Sequence, residues 1–426
     1  MSSDGLPDPD PEVLAYLSRP EHADKMREVM VRAASSDMPV TVDWTKGERE
    51  GKRVAGVVLK RTYRLHKGRF ELSSEGQEAL IRGELGYFDD SKSVRLAPPI
   101  FVNDYYAARR KTDVVIQGFA FAPSPATRHL TATVRFGKHE RSIEVYGARR
   151  GEYDAGKKPR FSEPEPFEMI PIRYDLAYGG VDMVALARKL GYPDPDAEVA
   201  IPEETEFHYP RNPCGLGYLM ELDWESFMGL RLPHLEHPFD PLTPERLAVG
   251  APGRWLRGSL PAAWDWQSES WFPRAAYLGM APLFDDDGTV PAEVQKGWAA
   301  RDILEIPMIF HDLDGTPRRE YSQAASPGMS FTDLSPREHF EIKNMHPKEA
   351  RLAFDLPGDV PKVTVAFQRD TFTELESRLC SVVIRPDREE LVATWSALAE
   401  VDRDYEKLEL MSMRSEIAWA RGREAT

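Results

Sequence analysis

The chain has 426 residues, of which 70 are acidic and 55 basic, giving a formal net charge of -15. That balance argues against a general nucleic-acid binder, because neutralising phosphate needs clustered positive charge, and Arg109-Arg110-Lys111 and Arg149-Arg150 read as solvated turns. The two cysteines are too few for a disulfide framework, no apolar run is long enough for membrane insertion, and the polar, acidic start lacks a signal-peptide pattern, so the expected setting is cytoplasmic.

Residues 1–11 read as disordered and Pro11 to Ala34 as one or two helices, with Leu14, Leu17, Met26, Val29, Met30 and Ala33 on a partly apolar stripe. Strand character begins near Val57. Val57, Leu59, Tyr63 and Leu65 alternate with Lys60, Thr62, Arg64 and His66, and Arg61 is the one break on the apolar side. Lys67-Gly68-Arg69 reads as a hairpin connection into Phe70-Glu71-Leu72. Thr112 to Phe121 reads as a more fully buried strand. In Leu130 to Phe136, Leu130, Ala132, Val134 and Phe136 alternate with polar residues, and Gly137-Lys138 turns the chain into His139 to Tyr146. Residues 54–147 therefore predict an antiparallel meander in a sandwich or partly closed barrel.

The middle of the chain changes texture. Pro164, Pro166, Phe167, Pro171, Gly179, Gly180, Asn212, Pro213, Gly215 and Gly217 punctuate a stretch whose rings include Tyr174, Tyr178 and Tyr218. Proline fixes φ and glycine admits backbone states other residues avoid, so this stretch reads as one specified irregular path, a seam between two sheet-containing parts. A helix is expected over Val181 to Leu190, and residues 193–206 read as an acidic loop. Trp224, Trp255, Trp264, Trp266 and Trp271 crowd the region from Leu219 to Asp287. Such rings either seal loops over a sheet or anchor a partner, and Trp264, Trp266, Trp271 and Arg274 form the candidate partner-binding patch.

Toward the C-terminus, Val363 and Val365 mark a half-buried strand. Ser377 to Arg385 and Glu390 to Leu398 form a strand–turn–strand unit, and the tail from Asp402 to Ala420 is expected to end in a short helix. The chain divides by pattern into a flexible or helical segment (1–40), a β domain (41–160), a Pro/Gly/Trp-rich connection (161–335), a second β region (336–400) and a tail (401–426).

Chemistry is sparse. No phosphate-binding loop, zincin helix or nucleophile elbow occurs. Cys214 with His208, His234 or His237 would make a thiol–imidazole pair. His234, His237 and Asp240 offer two nitrogens and a carboxylate to zinc or iron, but Pro233 and Pro238 break the local periodicity. Glu163, Glu165 and Glu168 could pair for acid/base work only in a cleft. Asp285-Asp286-Asp287-Gly288 lacks the ligand spacing that continues a calcium loop. The residues themselves thus point to no catalytic group, metal or cofactor, and to a mainly β binding protein with few short helices and long ordered loops.

Several motifs, in order, carry a resemblance: Thr112 to Pro123, Val145 to Arg150, Pro164 to Pro171, Ala177 to Gly180, Asn212 to Gly217, Leu232 to Pro238, Asn344 to Pro347 and Phe354 to Gly358. Together they resemble the domain-of-unknown-function family (DUF2169-like) encoded beside the spike and effector genes of bacterial type VI secretion systems, over about residues 40–400. The resemblance implies a cytoplasmic, non-enzymatic adaptor or chaperone that holds an effector toxin and helps load it onto a VgrG-like spike. His234 and His237 stand where the family carries asparagine and aspartate, and the segment from Tyr321 to Met329 also departs from it. The alternatives are a structural component of a contractile or other assembly and a thiol- or metal-dependent hydrolase.

Overall fold

The computed structural model describes residues 32–49, 52–86, 97–105, 109, 111–191, 207–250, 258–269, 271, 274, 323–366, 372–401 and 413–421. The helices expected over Pro11 to Ala34 lie outside them up to residue 31, and their last residues, Arg32 to Ala34, are instead in a strand that pairs with a strand of the tail; the 193–206 loop, Trp255 and the Asp285 to Gly288 turn also lie outside the described residues.

The first part of the chain forms β1 (Arg32–Ser36), β2 (Thr41–Arg49), β3 (Lys52–His66), β4 (Arg69–Leu72), β5 (Leu85–Gly86), β6 (Pro99–Phe101), β7 (Thr112–Ile116), β8 (Phe119–Phe121), β9 (His129–Phe136) and β10 (His139–Tyr146). The middle forms β11 (Gly151–Tyr153), β12 (Pro159–Phe161), β13 (Met169–Pro171), β14 (Tyr178–Gly179), β15 (Leu216–Gly217) and β16 (Leu235–Glu236), with helices α1 (Met183–Leu190), α2 (Trp224–Phe227) and α3 (Pro244–Leu247). The remainder adds β17 (Ser330–Phe331), β18 (His339–Lys343), β19 (Arg351–Asp355), β20 (Asp359–Ala366), β21 (Thr373–Leu375), β22 (Ser377–Arg385), β23 (Glu390–Glu400) and β24 (Met413–Arg421). No described helix is long and apolar enough to cross a membrane.

The protein is mainly β, as its alternating patterns require. Among the described residues, twelve strands make one curled mixed sheet, a half-barrel, in the order β16-β10-β9-β18-β19-β4-β3-β23-β22-β7-β17, with β2 also paired to β3. A four-stranded sheet, β1-β24-β20-β21, packs beside it. The expected meander over 54–147 is corrected here. β3 and β7 are not neighbours, because the C-terminal hairpin β22–β23 lies between them, parallel to β7 and antiparallel to β3. Likewise β18–β19 sits between β9 and β4. Strand periodicity fixes which face a residue takes but not which strand lies alongside.

The tail is a second correction. β24 is a strand, with Ser415 and Ile417 buried and Arg414, Glu416 and Ala418 exposed, and it pairs with both β1 and β20. Its Arg, Glu and Ala residues favour a helix in isolation, but two flanking strands satisfy its backbone and the period-two pattern wins.

The central strands of the large sheet are covered on both faces. On one face Leu59 lies opposite Trp395, Tyr63 opposite Leu391, and Val382 opposite both Ala393 and Val114. All are buried, and all but Tyr63 are without polar side-chain atoms or carry only an indole N–H. Arg61, the break seen in the sequence, is on this face and fully buried. Its Nε donates to Pro39 O at 3.0 Å and its Nη1 to Asp359 Oδ2 at 2.9 Å, an oxygen that also accepts from the Tyr63 hydroxyl. The guanidinium lies 3.6 Å from the Trp419 ring centroid, so one cation joins the half-barrel to the smaller sheet.

The opposite face carries Lys60, Thr62, Thr394, Glu390, Arg385, Asp113 and Gln117 among valines, and these polar groups too are buried. Segments around residues 73–81, 97–105, 265–268 and 323–330 cover them. Lys60 Nζ reaches Asp104 at 2.6 Å and Glu78 at 3.3 Å. Arg385 donates to Glu78, Glu390 and Gln117, and Gln117 in turn donates to Asp265 at 2.9 Å. Asp113 accepts from Gln323, Ser330 and the Ala324 amide. Every charge that leaves water here meets an opposite charge or a donor, which is the condition for burying it.

Candidate functional site

The irregular middle of the chain folds around Asn212, which is fully buried. Its Nδ2 donates to Tyr174 O at 2.7 Å and Tyr178 O at 3.0 Å, and its Oδ1 accepts from the Cys214 thiol at 3.2 Å. Asn212 O accepts from Gly180 N, while β14 and β15 run parallel with Tyr178 beside Leu216 and Gly179 beside Gly217. This crossing explains the glycines. Gly179 and Gly180 have φ of 148° and 98°, and a Cβ on them would lie 2.1 Å from Asn212 O and 2.3 Å from Gly215 O. Only glycine combines that conformation with that approach.

Below the crossing, the rings of Tyr178, Tyr209 and Tyr218 meet at centroid distances of 5.0, 5.1 and 6.4 Å. Tyr178 and Tyr209 donate to Leu247 O and Ser259 O, and Tyr218 to Met220 Sδ. Burial pushes the three hydroxyls up, Tyr209 to about 12, so they remain protonated donors and knit distant loops together. Asp182 caps α1, accepting from Ala185 N at 2.9 Å, and its other oxygen accepts from Met220 N at 2.7 Å. Burial raises its carboxyl against those two bonds. This second core also includes Leu186, Phe207, Leu219, Phe227, Leu232 and Leu247.

A buried ion pair fastens this unit to the half-barrel. Arg149 Nη2 lies 2.6 Å from Glu236 Oε1 and donates to Pro233 O, and Glu236 Oε2 accepts from Leu242 N. The Arg149 guanidinium also sits 4.0 Å from the Tyr146 ring centroid. The solvated turns expected at Arg109 and Arg149 are therefore corrected. Both are buried, Arg109 donating to Asn103 O.

The candidate ligands do not converge. His234 Nδ1 lies 3.0 Å from Tyr146 O, which can only accept, so that nitrogen carries the proton. His237 Nδ1 accepts from Phe239 N, and Asp240 accepts from Arg246 and from Leu260 N. Burial lowers the pKa of both histidines, leaving neutral rings near pH 7. Among the described residues no three His, Cys, Asp or Glu side chains are grouped to hold a metal ion. Glu163, Glu165 and Glu168 are exposed on the segment entering β13.

The tryptophan patch is inside. Trp264 and Trp266 belong to the main core, Trp271 packs edge-on against Tyr174 at 5.4 Å, and Arg274 is 2% exposed, donating to Gln267 O. The correction has a simple cause: the four residues cover the sheet's polar face and the Asn212 crossing, where large rings fill volume. A patch offered to a partner cannot consist of them in this conformation. The sequence reading also passed over Phe239, which is 90% exposed on a turn held by the His237 and Asp240 bonds. Its flanking prolines, Pro238 and Pro241, were the available signal.

A family model described as "Uncharacterized protein conserved in bacteria (DUF2169)" matches residues 50–396. No curated protein and no solved structure matches the chain.

Proposed function

We propose, for a chain that belongs to the DUF2169 family of bacterial proteins, that it is a non-enzymatic adaptor which grips an effector toxin and helps pass it to a VgrG-like spike of a type VI secretion system. The observation that carries this reading is where the polar chemistry goes. Cys214, His234, His237 and Asp240 are each engaged by a neighbour within the chain, whereas large apolar side chains such as Phe239 and Trp224 stand exposed. Rigid, irregular backbone presenting apolar anchors is what protein recognition uses. The adaptor works in the cytoplasm, with neither nucleic acid nor membrane as partner.

The test is co-expression of the chain with a toxin and a spike protein encoded beside it, followed by size-exclusion chromatography. A stoichiometric complex with the toxin is expected, and the spike joins through it. The proposal fails if the purified chain turns over ester or peptide substrates and Cys214→Ser abolishes the turnover, or if it binds zinc stoichiometrically and His237→Ala removes it.

A further inference from the structure

The connection between β22 and β23 is one tight turn, Pro386–Arg388, that ends on Glu389 with a φ of 53°. Three segments distant in sequence meet on it. Leu65 N donates to Glu389 O at 2.7 Å, and Gln117 N, at the corner from β7 into β8, donates to Ile384 O at 2.9 Å. From the β18–β19 connection, His346 Nε2 lies 3.4 Å from Glu389 Oε1. His346 Nδ1 accepts from the amides of Lys348 and Glu349, so a neutral ring carries its proton on Nε2, toward the turn.

Asp387 is the carboxylate that this turn directs inward. Its Oδ1 is buried against Gly118, so close that a Cβ there would lie 2.5 Å away, and it has no hydrogen-bond partner among the described residues. Asp387's own amide supplies a bond to the carboxylate. Asp182, another carboxyl raised by burial, differs in having a backbone amide from elsewhere on each oxygen. The charged groups that face Asp387 are Arg388 and Arg385 on its own hairpin and His346 on the β18–β19 connection. The β7–β8 corner offers Gln117, Gly118 and Phe119, none of them charged. Arg385 already donates to Glu78, Glu390 and Gln117, and Glu389 is turned to His346. Burial outweighs the three cations and raises the Asp387 carboxyl above its ordinary value. An ionised oxygen taken from water without a donor is unfavourable there, whereas the protonated carboxyl is a neutral group of the same shape.

We propose that Asp387 is a pH-sensitive catch at this three-way joint. With its proton on, the turn seats against Gly118; with the proton off, the carboxylate draws toward water, and the turn loosens from the β7–β8 corner and from Leu65. A carboxyl whose folded pKa is raised adds stability that is present below the unfolded value and lost as pH rises through the folded one. The joint is therefore tighter in mildly acidic solution than at neutral pH, whatever the protein binds.

The experiment compares the full chain with Asp387→Asn, which keeps the shape of the protonated carboxyl, by thermal melts and amide hydrogen exchange from about pH 4 to about pH 8. His346 is present in both proteins, so its titration is common to the two curves. Asp387→Asn melts about 1–2 °C above the wild type at the upper pH, and the gap closes toward the lower one. At the upper pH the Leu65 and Gln117 amides, which bond to the two arms of the turn, exchange several-fold more slowly in the variant. The proposal is overturned if Asp387→Asn melts at or below the wild type at the upper pH, if the gap is the same at both ends, or if the two amides exchange alike in both proteins. Should Asp387→Asn fail to fold, Asp387→Ser, which withdraws the oxygen from Gly118, must show the same pH-dependent gap. A constant gap, or none, overturns the proposal.

Discussion

The two faces of the central strands β3, β23, β22 and β7 solve the same problem with opposite chemistry. One face buries Leu59, Leu391, Trp395 and Val114 and is held by apolar contact, with Arg61 as its lone cation. The other buries Lys60, Arg385, Glu390 and Asp113 under irregular segments, held by directed bonds. Apolar contact is non-directional and tolerates a neighbour of regular shape, such as another sheet. Charges tolerate only partners at the right place, and irregular loops can supply carboxylates and carbonyls where a second sheet could not. The difference teaches that a polar stripe on an alternating strand specifies the path of its cover, at the risk of a large loss when one member goes.

That risk gives the largest expected effect. Arg385→Ala leaves Glu78, Glu390 and Gln117 without their common donor beneath the cover, and a loss of about 3–5 kcal/mol in urea unfolding is expected. Recovery of most of it in a variant that also replaces Glu78 and Glu390 by apolar residues would identify stranded charge as the cause. On the apolar face, Leu59→Ala should cost about 3 kcal/mol through cavity formation, with little dependence on salt. If the two losses responded alike to salt and to compensating apolar replacements, the contrast between the faces would be mistaken.

A third comparison lies at the edge of the cover, where Asp43 on β2 accepts from Tyr105 and Arg82. Burial would raise its pKa, but those bonds and the Trp44 amide prevail and hold it below 3.8. A carboxyl with a lowered folded pKa adds stability that is present above the unfolded value and lost as pH falls through the folded one. Asp43→Asn should therefore cost about 1 kcal/mol at pH 7, and the gap to the wild type should close below pH ~4. Thermal melts across that range measure it. The smallest effect is expected at Lys52 and Glu400, an exposed pair at the end of the same strands with side chains 62% and 66% exposed. Lys52→Ala should change unfolding by less than about 0.5 kcal/mol, which would separate ion pairs under the cover from those outside it.

Much of the fold was legible strand by strand. The β9–β10 hairpin, the β22–β23 unit and α1 lie within two or three residues of the segments read from alternation and helix-stop signals. The Lys67-Gly68 turn is confirmed by positive φ at both residues. What the pattern could not carry was partnership. The parallel pairing of Val114 with Val382 joins residues that no local signal relates, and Lys60 looked like a solvent-facing residue because its cover comes from Glu78 and Asp104. Tryptophan density correctly marked a region of large volume but not which way the rings faced. The Pro/Gly/Asn motifs marked an ordered crossing, and its geometry shows why: Asn212 supplies bonds that a regular element would make with its own backbone.

The four-stranded sheet carries a consequence for biosynthesis. Its β1 strand is paired, in parallel, to β24, so Arg32 waits for Met413 while every intervening strand is translated. Until then Arg61 lacks the indole of Trp419 that covers it, and the joint between the sheets stays open. Nascent chains stalled ahead of Met413 should be cut by protease near β1 and protected there once Arg421 has cleared the ribosome. Among the described strands, the last to be made thus closes on the first.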